Sequence, residues 1–124
     1  MQPYDSIWFS PPAPLARVVV RDPESGATVP DIPMLIDTGA DVTLIPKSAV
    51  QELGLVPDSE ESYELVAFDG SRSLAQVVRV DLRLLNKTFK GRFLLVEQEW
   101  GLLGRDILNH LSLRFDGPAL QWGE

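Results

Sequence analysis

Apolar residues fall in short runs along this chain, separated at close intervals by turn-forming residues. Leu15 to Val20 is rich in β-branched residues and reads as a strand. Asp22-Pro23-Glu24-Ser25-Gly26 has the composition of a turn. Ala27 to Ile36 reads as the returning strand. Pro30 and Pro33 lack the N–H that a central strand needs, so its first half is expected at a sheet edge. Asp37 to Asp41 interrupts the apolar pattern, and Val42 to Ile45 resumes it. Pro46 suits the first residue of a helix running to Leu53, with Gly54 just past its end. Ser62–Phe68 and Leu74–Val80 flank the polar run Asp69 to Ser73, and Val80–Leu85 and Thr88–Val96 flank Asn86-Lys87. Each arrangement predicts a hairpin. A second short helix is expected at Arg105 to His110. A last hairpin or corner is expected at Asp116-Gly117-Pro118, between Ser112–Phe115 and Ala119–Trp122. Many short strands with two short helices indicate a mainly β barrel or sandwich. An apolar pair, a glycine-containing turn and a short helix occur twice, at Leu35–Leu53 and Leu102–His110, which hints at an internal pseudo-twofold.

Length and composition narrow the function classes. With 124 residues the chain is long enough for one domain and too short for two ordinary ones. Pro3, Pro11, Pro12 and Pro14 mark residues 1–14 as an extended, proline-rich arm containing the apolar segment Ile7-Trp8-Phe9, with the domain proper at residues 15–124. The net charge is −7 and the eleven Lys and Arg are scattered, so no nucleic-acid partner is expected. The absence of cysteine removes disulfides, thiol catalysis and thiolate metal sites. His110 is the only histidine. It reads as a residue at a helix C-terminus, favoured there by the helix dipole, rather than as a catalytic base. No apolar run approaches the roughly 18 residues of a membrane span, and Met1 to Ser10 lacks the pattern of a secretory signal. The compartment stays open, with a soluble, cytoplasmic location favoured.

The chemistry converges on Asp37. Met34-Leu35-Ile36 is apolar, which places Asp37 at the end of a buried strand. A carboxylate there is costly unless it is hydrogen-bonded or shares a proton. Thr38 offers a short hydroxyl, and Gly39 permits a close approach that a side chain would block. Taken alone, Asp-Thr-Gly is a short tripeptide that also fits a strand-end turn.

A second block changes that balance. Leu35-Ile36-Asp37-Thr38-Gly39-Ala40-Asp41, followed downstream by Leu102-Leu103-Gly104-Arg105-Asp106-Ile107-Leu108, resembles the retropepsin family of aspartic proteases. The resemblance runs roughly from Leu15 to Trp122. It implies an all-β acid-protease barrel protomer with two short helices and an active site formed by a homodimer. It implies Asp37 as catalytic residue, and Thr38 and Gly39 as loop supports, with Gly39, Ala40 and Asp41 also facing substrate. Leu103 and Gly104 would brace the loop, and Arg105 would pair with Asp41.

Hydrolysis by this route takes two carboxyls, one to activate water and one to polarise the carbonyl. The chain has a single Asp-Thr-Gly, and Asp69, Asp106 and Asp116 lack its setting. The second Asp37 is therefore expected from a second copy, on a twofold axis, with no metal or organic cofactor. The Asp69-Gly70 hairpin is the candidate flap, and Phe68, Asp69 and Gly70 are candidate substrate contacts. Its single glycine departs from the glycine-rich retroviral pattern. Terminal strands of both copies, at Ile7–Phe9 and Ala119–Trp122, are candidate dimer contacts, with Trp8 and Trp122 either there or packed on their own domain. Trp100 is expected in the core or cleft wall. The leading expectation is an aspartic endopeptidase acting on peptides or proteins. The alternatives are a non-catalytic retropepsin-fold peptide-binding or dimerisation module, and a protease that is an inactive monomer until it meets a partner.

Overall fold

The computed structural model describes residues 1–67 and 69–124, with residues 58–61 described by backbone alone. Along the chain the described residues form β1 (Gln2–Asp5), β2 (Ala13–Arg21), β3 (Thr28–Ile36), β4 (Leu44–Pro46), α1 (Lys47–Glu52), β5 (Asp58–Val66), β6 (Arg72–Leu84), β7 (Lys87–Val96), β8 (Gly101–Leu103), α2 (Arg105–Leu108), β9 (Arg114–Asp116) and β10 (Gln121–Gly123). One sheet runs β5-β6-β7-β4-β8-β3-β2-β1-β10-β9, and an added β2–β6 pairing curls it into a barrel.

The barrel is two interlocked copies of one pattern: a hairpin, a short strand and a helix. The first copy is β2/β3, β4 and α1, and the second is β6/β7, β8 and α2. Each short strand leaves its own hairpin and pairs in parallel with the other, β4 with β7 through Leu44↔Leu94 and β8 with β3 through Leu35↔Leu102. The halves meet antiparallel at Leu44↔Leu102 and at Val20↔Leu82. The pseudo-twofold is real, but its register differs from the one expected. Leu44-Ile45-Pro46 is the equivalent of Leu102-Leu103-Gly104, whereas Leu35 is the hydrogen-bonding neighbour of Leu102. Both apolar pairs precede a glycine turn, and local sequence does not reveal that the short strands cross over.

Alternation along the strands builds the core. Ala16, Val18 and Val20 of β2, Ile32, Met34 and Ile36 of β3, and Val78, Val80 and Leu82 of β6 point inward every second residue. Ile107 of α2 and Leu103 of β8 close one end. A Cβ on Gly101 would collide with the Leu44 carbonyl oxygen and the Met34 sulfur, so only glycine lets β8 lie between β3 and β4. The first half of β3, with its prolines, has β2 on one side only, as an edge segment should.

Three local expectations shift, and one that stood open between two placements, Trp122, takes the second of them. Pairing near the N-terminus uses Gln2–Asp5, which lies between β10 (Gln2↔Trp122) and β2 (Tyr4↔Pro14), and not Ile7–Phe9. The Asp5 carboxylate accepts the Trp8 N–H at 2.8 Å, which turns the chain out of the sheet. Trp8 then stacks on Trp100 (centroids 5.8 Å apart) and Phe9 meets the same ring edge-on at 5.0 Å. Both helices end early, at Glu52 and Leu108, with Gly54 at φ +75° beyond the first. The turn between β6 and β7 sits on Leu85-Asn86, both at positive φ, one residue earlier than expected. Trp122 is fully buried in its own chain's core, and its indole N–H has no partner among the described residues.

Candidate functional site

The site is built where β3 ends beside β8. The Asp37 N–H donates to the Leu103 carbonyl at 3.1 Å, extending the β3–β8 ladder by one step. Ile36 points into the core, so alternation turns Asp37 to the other face. There the chain reverses. The Ala40 N–H donates to the Asp37 carbonyl at 3.1 Å, and the Gly39 N–H donates to Asp37 Oδ1 at 3.0 Å. A Cβ on Gly39 would stand 3.2 Å from that same oxygen, tight enough to push the carboxyl aside. The burial expected for Asp37 is only partly present. Its strand is buried, but the carboxyl is half-buried and Thr38, Gly39 and Asp41 are exposed. The loop forms part of the surface of the single chain.

A second segment fixes this loop from behind. The Arg105 N–H donates to the Ala40 carbonyl at 2.9 Å, and the Arg105 guanidinium reaches the Thr38 carbonyl at 2.7 Å and Asp41 Oδ1 at 3.2 Å. Both partners of that ion pair face solvent, so it contributes little stability, but it ties both ends of the Thr38–Asp41 stretch to α2. Gly104 approaches so closely that a Cβ there would lie 2.5 Å from the Val42 carbonyl carbon and oxygen. Leu103 is fully buried beneath the loop.

Two residues of this brace were not singled out from sequence. Thr43 is only 1% exposed. Its hydroxyl donates to Asp106 Oδ1 at 2.7 Å and accepts the Gly104 N–H at 3.1 Å. Asp106 Oδ2 accepts the Thr43 N–H at 3.1 Å, and Oδ1 also accepts the Ile107 N–H at 2.9 Å. The available signals were a hydroxyl inside the apolar run Val42–Ile45 and a carboxylate in the first turn of a helix, where free N–H groups need acceptors.

β5 and β6 form a separate hairpin, paired from Asp58↔Val77 to Val66↔Arg72. Leu44 and Leu65 pack on a small buried cluster of Ala75, Val77 and Leu94, forming an apolar floor between hairpin and barrel. At the tip, the Ala67 N–H donates to the Ser71 carbonyl at 2.9 Å, Gly70 takes φ +84°, and Asp69 Oδ1 accepts the Ser71 N–H at 2.8 Å. The Ser71 side chain and then its backbone N–H hold the Asp69 carboxyl below its ordinary value of 3.8. That tip contact is therefore fully present above 3.8 and is lost only as pH falls through the lowered folded value. Phe68 lies outside the described residues. The structure thus brings Asp37, Thr38, Gly39, Ala40, Asp41, Leu103, Gly104 and Arg105 into one constellation, and places Asp69 and Gly70 on a separate hairpin. Among the described residues no acidic or histidine cluster has the arrangement of a metal site, and no helix is long and apolar enough to cross a membrane.

Comparison with known proteins places the fold and the family. Residues 28–110, about two thirds of the chain, match the family described as "gag-polyprotein putative aspartyl protease". No curated protein matches the chain significantly. Among solved structures, EIAV protease complexed with the inhibitor HBY-793 superposes with a TM-score of 0.60 at 21% identity, covering 86% of this chain and 91% of that one. The fold is therefore that of a retroviral protease protomer, and the chain belongs to the retropepsin-like aspartic protease family.

Proposed function

We propose that this protein is an aspartic endopeptidase, in which two Asp37 carboxyls, one from each subunit of a homodimer, activate water against a peptide bond. The observation that carries the reading is the braced surface loop. A single Asp-Thr-Gly is held rigidly through Thr43, Gly104 and Arg105, while its carboxyl and Thr38 stay open on the outside of the chain. Rigid placement with an open reactive face is what a group that works against a second copy requires.

The chemistry follows from the pair. Two carboxyls about 3 Å apart do not both ionise readily, so they hold one proton between them. The ionised partner takes a proton from water, the protonated one hydrogen-bonds the substrate carbonyl, and the resulting tetrahedral species collapses as the amine leaves with a proton. Neither metal nor organic cofactor enters these steps. Asp41 and Ala40 would meet the substrate main chain. The β5/β6 hairpin, with Asp69 and Gly70 at its tip, would cover bound peptide and exclude water. Leu44 and Leu65 on the apolar floor favour apolar side chains beside the scissile bond.

Because the pair needs one proton, cleavage of a diverse peptide library is expected to be fastest below neutral pH and to fall as pH rises. The Asp69 contact persists through the mildly acid range, so opening of the hairpin tip would not account for such a profile. A rate that stays flat into alkaline pH would contradict the shared-proton pair.

A further inference from the structure

The two strands nearest the termini, β1 and β10, are each paired on both sides within the chain. β10 is enclosed in its own chain, with β1 on one side and β9 on the other. The sheet therefore ends at β9, whose outer edge has no neighbouring strand among the described residues. An open edge of this kind is a template for another chain.

Three features of β9 fit a second copy. Phe115 stands directly across from Trp122, so the two side chains share a face. Trp122 is fully buried, yet Phe115 is 44% exposed, so the core of one chain stops short of β9. Leu120, in the turn that joins β9 to β10, is also exposed, at 46%. The third feature is charge. Arg114-Phe115-Asp116 is antisymmetric about its centre. When two such strands pair antiparallel about a twofold axis through Phe115, each Arg114 stands opposite the Asp116 of the other copy. An isologous contact must be self-complementary, and this tripeptide is.

We infer that two copies join edge to edge through β9, with Phe115 on the twofold axis and reciprocal Arg114–Asp116 pairs on either side, forming a continuous sheet β1-β10-β9 followed by its copy. The inference rests on the proposed dimeric site and specifies how that dimer is sealed. The axis that brings Asp37 to its copy then also runs past Phe115. The dimer contact expected at the terminal strands Ile7–Phe9 and Ala119–Trp122 thus moves to β9, where two intact terminal sheets join.

Charge reversal tests this by sedimentation of purified chains. Arg114→Asp places two like-charge pairs across the axis, and so does Asp116→Arg. Each is expected to weaken dimerisation about tenfold or more, since opposed like charges replace attractive cross-strand pairs twice. Mixing the two variants restores both opposite-charge pairs in the heterodimer and is expected to return association close to the wild-type level. Asp116 also accepts the Ala119 N–H in the turn, so Phe115→Arg supplies an arm that leaves this bond intact. It puts two like charges on the axis and is expected to yield a folded monomer. A wild-type dimer that all three substitutions leave unchanged, or charge variants that fail to re-associate when mixed, would overturn the β9 seal while leaving the catalytic dimer standing. A wild-type chain that stays monomeric at every concentration yet cleaves peptides would overturn both.

Discussion

Replacing Asp37 with asparagine is expected to lower peptide cleavage by about 10³-fold or more, with folding and association retained. General acid–base participation contributes roughly 10² to 10⁴ in rate, and this substitution removes the ionisable group from both halves of the pair. The structure explains why the variant should still fold. Among the described residues the Asp37 side chain accepts the Gly39 N–H, and the amide oxygen of asparagine can accept it equally well. The carboxyl is half-buried rather than enclosed, so neutralising it leaves no stranded charge. Initial rates at acid pH, beside a thermal melt of the same sample, check both halves of the prediction. Equal cleavage by the two proteins would show that the activity does not come from this residue.

Thr43→Val is expected to destabilise the protein by about 2–4 kcal/mol, far more than its near-identical shape would indicate. Valine fills the same volume but removes a hydroxyl that serves two partners at once. The Gly104 N–H loses its acceptor in a buried site and Asp106 loses its shortest donor. Each such loss costs roughly 1–3 kcal/mol when the group stays unsatisfied. Denaturant unfolding measures the change directly. Cleavage should fall as well, because Gly104 and Asp106 hold the loop that carries Asp37. A stability within about 0.5 kcal/mol of wild type would mean that the brace is not buried as described. Arg105 offers the contrast: its pair with Asp41 lies in solvent, so its loss should weigh more on loop placement than on stability.

The sequence made the elements and the motif legible for local reasons. The apolar runs, the two proline-marked segments of β3 and the glycine after α1 each act within a few residues, and each was visible in the pattern. What was hidden depends on pairing across the chain. The crossing of β4 onto β7 and of β8 onto β3 could not be read from apolar pairs that look alike at Leu35 and Leu102. Apolarity points to Ile7–Phe9 as the N-terminal strand. Instead Ile7 stays exposed while Trp8 and Phe9 pack against Trp100, and Gln2 and Pro3 find their ladder on a strand more than a hundred residues away. Position alone does not separate interface from core for Trp122, which the fold buries completely. Thr43 and Asp106 carry only a weak sequence signal of their role, because a hydroxyl and a carboxylate of this kind usually face water. Only the approach of α2 to the loop turns them into a buried pair.

The central claim is that two copies of Asp37 act as one site, and mixing chains tests it most directly. Wild-type and Asp37→Asn chains are combined at equal concentration, allowed to exchange, and assayed at a fixed total. A shared pair predicts about a quarter of the all-wild-type rate, since only dimers with two wild-type chains keep both carboxyls. A rate of about one half, tracking the number of wild-type chains alone, would show that each Asp37 works without its copy.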